Sequence, residues 1–265
     1  MRLAIGLEYD GTRFMGWQRQ PHPVPTVQAC VEAALADVAN HPVEVTCAGR
    51  TDAGVHANGQ VVHFDTQAQR TERGWLLGVN SNLPEDVAVR WLREVPEDFH
   101  ARFRARARHY RYTIVNRETR PALTRRRATW VHASLELEAM QTGARHLLGE
   151  HDFSAFRAVE CQARSPVRTV QRLEVRRVGE RVIVDVVADG FLHHMVRNIA
   201  GVLIAIGAQK HPADWTRTLL QGRDRRLGGV TAPPQGLCLV AVLYPSAYGI
   251  PVPEDAMFGD LSANL

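Results

Sequence analysis

Lysine is nearly missing from this chain. Of 32 basic side chains in 265 residues, 31 are arginine and Lys210 is the exception. Genomic composition and phosphate contact are both compatible with that bias, because the planar guanidinium presents several donors at once. Cysteine is scarce too: the four examples stand at 30, 47, 161 and 238, with no CxxC pair and no Cys/His cluster at zinc-site spacing. The pattern argues against a zinc module and predicts free thiols in a reduced, cytoplasmic compartment. No uninterrupted apolar run reaches about 18 residues, so no membrane span is predicted. The nearest approach, Ile199 to Gly207, reads as a buried helix. The apolar part of the opening MRLAIGLEYDG is too short for a signal peptide and reads as a first strand. A Gly/Ser linker is also lacking, which predicts domains packed together rather than tethered.

What is present is enough for a substantial core. Hydrophobic residues make up 45% of a length that suits two compact domains. The net charge of +4 is unevenly spread. Between Ala101 and Trp130 stand ten arginines against one acid, Glu118. A solvated charge run and a polyanion-binding surface both fit this stretch, and nucleic acid is the commonest polyanion.

Hydrophobic periodicity repeats one pattern twice. Arg2 to Tyr9 alternates as a strand and stops at the turn pair Asp10-Gly11. Thr26 is a candidate N-cap for a helix carrying Val27, Val31, Ala34, Leu35 and Val38, which ends at Asn40. Strands at 43–47 and 59–65, a helix near Thr71 to Val79 and a strand from Val87 to Val95 complete β-α-β-β-α-β. The second pass has a strand at His109 to Val115, a helix within Ser134 to Leu148, and a hairpin across Gly179-Glu180. A helix from Phe191 to Gly207, a short one at Trp215 to Leu220 and a closing strand at Leu237 to Leu243 follow. The predicted class is α+β: two ferredoxin-like, split βαβ domains, residues 1–104 and 105–265, with their sheets joined into one extended antiparallel or mixed sheet.

One loop stands apart from scaffold. In AGRTDAGVHANGQVVHF, residues 48 to 64, Arg50 and Asp52 sit one residue apart in a glycine-rich turn between two strands. Three roles compete for the aspartate: capping a turn, joining Arg50 in binding an ion or phosphate, or doing chemistry while Arg50 keeps it ionised. Gly49 and Gly54 are the residues expected to let this backbone turn sharply. Tyr110 shares a strand face with Tyr112, which fits packing as well as base stacking. Along the predicted helix from Phe191, the residues His193, His194, Arg197 and Asn198 form a polar patch at i,i+4 spacing. Joint metal binding by the two histidines is disfavoured there, since adjacent helical residues diverge. Leu237 is by default a strand-core residue.

At GRTDAGVHA the chain resembles the tRNA pseudouridine synthase A family. The resemblance extends over nearly its whole length, through YDGTRFMGWQRQ at 9–20, QVVHF at 60–64, HYRY at 109–112, GEHDFSAFR at 149–157 and FLHHMVRN at 191–198. It implies the pseudouridine synthase fold and an RNA isomerase that converts uridine to pseudouridine at tRNA positions 38, 39 and 40 of the anticodon stem-loop. It also implies a homodimer that uses tRNA as substrate, with no metal and no organic cofactor. The family's catalytic aspartate falls on Asp52, its neighbouring basic residue on Arg50, its active-site tyrosine on Tyr110, its second basic residue on Arg197 and its leucine beside the base on Leu237. Phe14 stands where the family often has a tyrosine.

Arg102, Arg104, Arg106 and Arg108 are expected to line one side of an extended segment as RNA backbone contacts. A non-catalytic RNA-binding protein is the second reading. A small-molecule enzyme using Asp52 is the third, disfavoured by the arginine run.

Overall fold

The computed structural model describes residues 1–254. The chain forms two compact units: Met1–Arg108 together with the chain from Leu239, and His109–Cys238. The sequence division at 104/105 kept the closing strand with the second half, whereas from Leu239 it groups with the first unit. Close packing explains this: Gly59 lies against the backbone of Val240, with no room for a side chain between them. Arg106 N donates to Leu243 O at 2.8 Å, and the Tyr244 hydroxyl donates to Ala101 O at 2.6 Å. The last part of the expected second domain, 255–265, lies outside the described residues.

The first unit contains β1 (Arg2–Tyr9), α1 (Val27–Ala39), β2 (Thr46–Cys47), β3 (His56–Asp65), α2 (Glu72–Asn82) and β4 (Val87–Val95). Its strands lie in the order β4-β1-β3, with β2 also on β3 and β10 (Leu237–Leu243) beside β3. This is the expected split βαβ succession. β1 runs antiparallel to both neighbours, and Ile5 stands opposite Val62 on one side and Leu92 on the other. The helices begin where hydroxyls satisfy free amides: Thr26 accepts from Ala29 N, and Thr71 from Gly74 N. Asn40 ends α1 in the left-handed conformation at φ 60°. Of the strand expected at 43–47 only Thr46–Cys47 pairs, since Val45 N donates instead to the buried Glu32 carboxylate on α1.

The second unit is built from β5 (Ala107–Asn116), β6 (Thr129–Val131), α3 (Leu137–Arg145), β7 (Gly149–Asp152), β8 (Val167–Val178), β9 (Arg181–Ala188), α4 (Met195–Gly207) and α5 (Trp215–Gly222). Strand order is β5-β9-β8-β7, with β6 parallel to β5. The β8–β9 hairpin turns at Gly179-Glu180 as expected, with Val178 opposite Arg181. β6 and β7 are too short for alternation to register in the sequence. The helix expected from Phe191 starts only at Met195. His194 has φ 62° and its carbonyl accepts from Asn198 N, so it is the flank of the helix and not its interior.

Asp185 on β9 is the electrostatic centre of this unit. It is fully buried, and its carboxylate accepts from His109 Nε2 at 2.8 Å, Arg111 Nε at 2.8 Å and the Arg176 guanidinium. Burial opposes its ionisation, but the His109 hydrogen bond and the two arginines outweigh that and hold the carboxyl below its usual range. One charge thus ties together β5, β8 and β9. A depressed folded value contributes stability above the unfolded carboxyl range, and that contribution is lost as pH falls through the folded value. Asp185→Asn is expected to lose about 3 kcal/mol near neutrality by leaving buried donors without their anion. Urea melts at pH 7 and at a pH well below the ordinary carboxyl range check this: the gap between wild type and variant narrows only as pH falls through the depressed folded value.

Candidate active site

The loop from Ala48 to Val55 has little side-chain bulk of its own and is held by its neighbours. Ala48 N donates to Val61 O at 2.8 Å. Gln60, 0% exposed on β3, donates from Nε2 to Gly49 O at 2.6 Å and accepts from Gly49 N at 3.4 Å. The Tyr9 hydroxyl meets Thr51 Oγ1 at 2.8 Å. From the 9–20 stretch, Trp17 N donates to Thr51 O at 2.9 Å and Gly54 N donates to Phe14 O at 3.2 Å. The segment is therefore pinned from β1, from β3 and from the loop after β1.

Asp52 opens the tight turn inside this clamp. Val55 N donates to Asp52 O at 3.1 Å, and Gly54 takes φ 76°, a value glycine adopts without steric cost. Gly16 supports the turn from outside at φ 93°, where a side chain would come within 2.8 Å of Thr51 O. Gly49, expected to share the role of Gly54, is not among the left-handed residues. The Asp52 side chain is half-buried and Arg50 is exposed. Gln60, Tyr9 and the loop after β1 are the groups seen to hold the loop. Cys47 just before the loop is a core thiol that burial pushes up to about 12.

The remaining family-matched positions lie in the second unit. Tyr110 on β5 is 7% exposed, and its ring stands edge-on to Phe191 with centroids 5.0 Å apart. Tyr112 shares its side of the strand but is fully committed: its hydroxyl meets Thr129 Oγ1 at 2.5 Å and donates to Pro233 O at 2.8 Å. Packing is thus the role of Tyr112. Leu237 is buried at the start of β10, directly after a short 3-10 turn at Pro234–Gly236.

Arg197 lies in the first turn of α4. Its Nε donates to Ala232 O at 2.8 Å and its carbonyl accepts from Ala232 N at 3.1 Å. Asn198, buried beside it, donates to Phe156 O and accepts from Arg225 and Thr231. The polar patch expected around these residues exists, but not as i,i+4 helical pairs. His193 and His194 precede the helix, with ring centroids 4.0 Å apart, and the helical reason against joint metal binding does not apply to them.

The arginine row is also different. Arg102 to Arg104 form a turn closed by Arg104 N donating to His100 O at 2.9 Å, not an extended strand. Arg104 pairs with Asp98 at 3.0 Å, and Arg102 lies over the Phe103 ring. Arg106 is exposed. Arg108 points inward, donating from one nitrogen to Ala48 O at 3.0 Å and Arg102 O at 2.7 Å. Sequence reasoning gave no role to Tyr9, Gly16 or Gln60. Their signal lay in YDGTRFMGWQRQ and QVVHF, the stretches that carry the family resemblance beside the loop itself.

A protein-family model for tRNA pseudouridine synthase matches residues 6–104 and 144–245. The tRNA pseudouridine synthase A of Methylococcus capsulatus is 58% identical over 264 residues, covering 100% of this chain and 96% of that protein. The protein of the same name from Xanthomonas euvesicatoria is 55% identical, with 95% and 98% covered. That from Alcanivorax borkumensis is 54% identical, with 94% of each covered.

The clamp makes a local prediction. Gly16→Ala combines a strained φ with a backbone clash and is expected to cost about 1–3 kcal/mol. Hydrogen exchange should quicken at the amides of 49–55 while the β8–β9 amides keep their protection. Unchanged exchange in the loop would contradict the clamp.

Proposed function

This chain belongs to the tRNA pseudouridine synthase family and isomerises uridine to pseudouridine in tRNA; we propose that Asp52 is its catalytic carboxylate and that its targets are uridines 38, 39 and 40 of the anticodon stem-loop. The observation that carries the assignment is the clamp. A half-buried carboxylate sits in a turn fixed from three directions, which is what a reacting group needs if its position is not to be found anew at each turnover.

The reaction breaks the N1–C1′ bond, turns the uracil, joins C5 to C1′, and moves a proton off C5 while N1 regains one. Atoms balance without an added reactant. As a nucleophile, Asp52 attacks C1′ and leaves when C5 takes its place. As a base, it removes the C2′ proton and returns it after the base has turned. Both routes need an ionised carboxylate.

Reaching C1′ requires the target nucleotide to leave its stack, at a cost of about a few kcal/mol. Arg50, exposed next to Asp52, suits the vacated space or the adjoining phosphate. Tyr110 offers a ring for the displaced uracil, Leu237 an apolar wall and Arg197 a cation in the same reading. Arg102, Arg104 and Arg106 remain candidates for backbone contact, and Arg108 becomes a brace for the loop. The protein is further proposed to act as a homodimer in the cytoplasm. No helix among the described residues is long and apolar enough to cross a membrane.

Two substitutions test the roles. Asp52→Asn keeps the size of the side chain but removes charge and nucleophilicity. It should abolish release of label from C5 of uridine in single-turnover assays, with tRNA affinity kept within about tenfold because phosphate contacts supply most of the binding. Substantial residual release would remove Asp52 from the mechanism. Tyr110→Phe keeps the ring. If the ring stacks, the variant binds tRNA as wild type does and still forms product. A stall after C1′–C5 bond formation would assign the C5 proton to the hydroxyl instead.

A further inference from the structure

The turn after β4 exposes an aromatic ring on a rigid base. Phe103 is 74% exposed. An isolated exposed apolar side chain needs no explanation, but the setting of this one is not casual. His100 Nδ1 accepts from both Arg102 N and Phe103 N at 3.2 Å, and His100 O accepts from Arg104 N. Ala101 N donates to His63 Nδ1 at 3.2 Å, and Ala101 O accepts the Tyr244 hydroxyl. Burial pushes His63 down to about 4, so near neutrality it is an uncharged acceptor. The rings form a column outward from the core: His63 to His100 at 4.8 Å, then His100 to Phe103 at 4.3 Å and 31°. The Arg102 guanidinium lies 5.7 Å from the Phe103 centroid.

Two further observations give this platform a direction. Arg108 joins Arg102 O of the turn to Ala48 O at the start of the Asp52 loop, so one side chain couples the two segments. Arg102 and Arg104, both exposed, flank Phe103 in sequence, exposed Arg106 follows, and Asp98 is the acid that pairs with Arg104.

We propose that Phe103 is a stacking platform for an unpaired base of the substrate RNA, held in register with the Asp52 loop through Arg108. The proposal rests on the reading of the protein as an RNA isomerase. The chemistry fits a nucleic acid better than a second copy of the chain. Self-contact of this turn about a two-fold axis would set arginines against arginines, whereas RNA supplies a planar base for the ring and phosphates for the guanidinium groups. A rigid turn also loses little conformational freedom when the base arrives.

The test uses full-length protein, an unmodified tRNA transcript and three variants. Phe103→Ala removes the ring, Phe103→Leu keeps apolar bulk without a π face, and Phe103→Trp keeps the face. Affinity is read by fluorescence anisotropy across a salt series, and self-association by sedimentation. Ala and Leu are expected to weaken binding about tenfold with an unchanged salt slope, while Trp binds like wild type. Wild-type affinity in both Ala and Leu would overturn the platform, and so would Leu binding as well as Trp. An Ala variant that dissociates into monomers, and binds normally once protein concentration restores its association, would make the turn a protein interface and also overturn it. Wild-type turnover is measured separately. If wild-type protein formed no pseudouridine while the Phe103 pattern held, the isomerase reading would fall and the platform would stand.

Discussion

Backbone-to-backbone contact between the loop after β1 and the loop before β3 is the constraint on which the rest of the first unit's site depends. A turn rich in small residues cannot hold itself by side-chain packing. Here Gly16 and Trp17 lie against Thr51, Phe14 accepts from Gly54, and Gln60 satisfies both amide groups of Gly49 from the core. Each contact requires the chain to come very close or a polar group to be buried with its partner. Losing one leaves a donor or acceptor dry, which costs more than the bond itself contributes. The Asp52 turn is thus over-determined.

The second unit reaches the same end by electrostatics. Asp185 gathers His109, Arg111 and Arg176, and two of these flank Tyr110 in sequence on β5. Since side chains alternate along a strand, anchoring residues 109 and 111 on one side fixes the presentation of Tyr110 and Tyr112 on the other. Tyr112 is consumed by Thr129 and Pro233, and the Tyr110 ring stands edge-on to Phe191. The packing role of Tyr112 follows from its hydrogen-bond partners, which no strand pattern specifies.

Much of this was legible in the sequence. Alternation and helical spacing located the first βαββαβ pass and the longer strands and helices of the second half, and Thr26 and Asn40 mark the ends of α1 as their residue types predict. The motifs identified the family. What stayed hidden depended on tertiary contact. Periodicity carried the α4 helix back to Phe191 because Phe191 and Met195 are both apolar, but the left-handed turn at His194 ends it earlier. Alternating arginines looked like an extended row, yet His100 folds the segment into a turn and Arg108 turns inward. The spacing of Arg50 and Asp52 left several roles open, and it gave no sign that Gln60, Tyr9 and Gly16 hold the loop.

The central claim is that this chain is a uridine isomerase acting on tRNA, with its proposed specificity in the anticodon stem-loop. Mass-spectrometric mapping of an unmodified tRNA transcript, after incubation with purified protein and no added cofactor, tests it most directly. The account predicts new pseudouridine at uridines of the 3′ side of the anticodon stem-loop and at no others. A tRNA that is bound but chemically unchanged, or one modified only elsewhere, would contradict it.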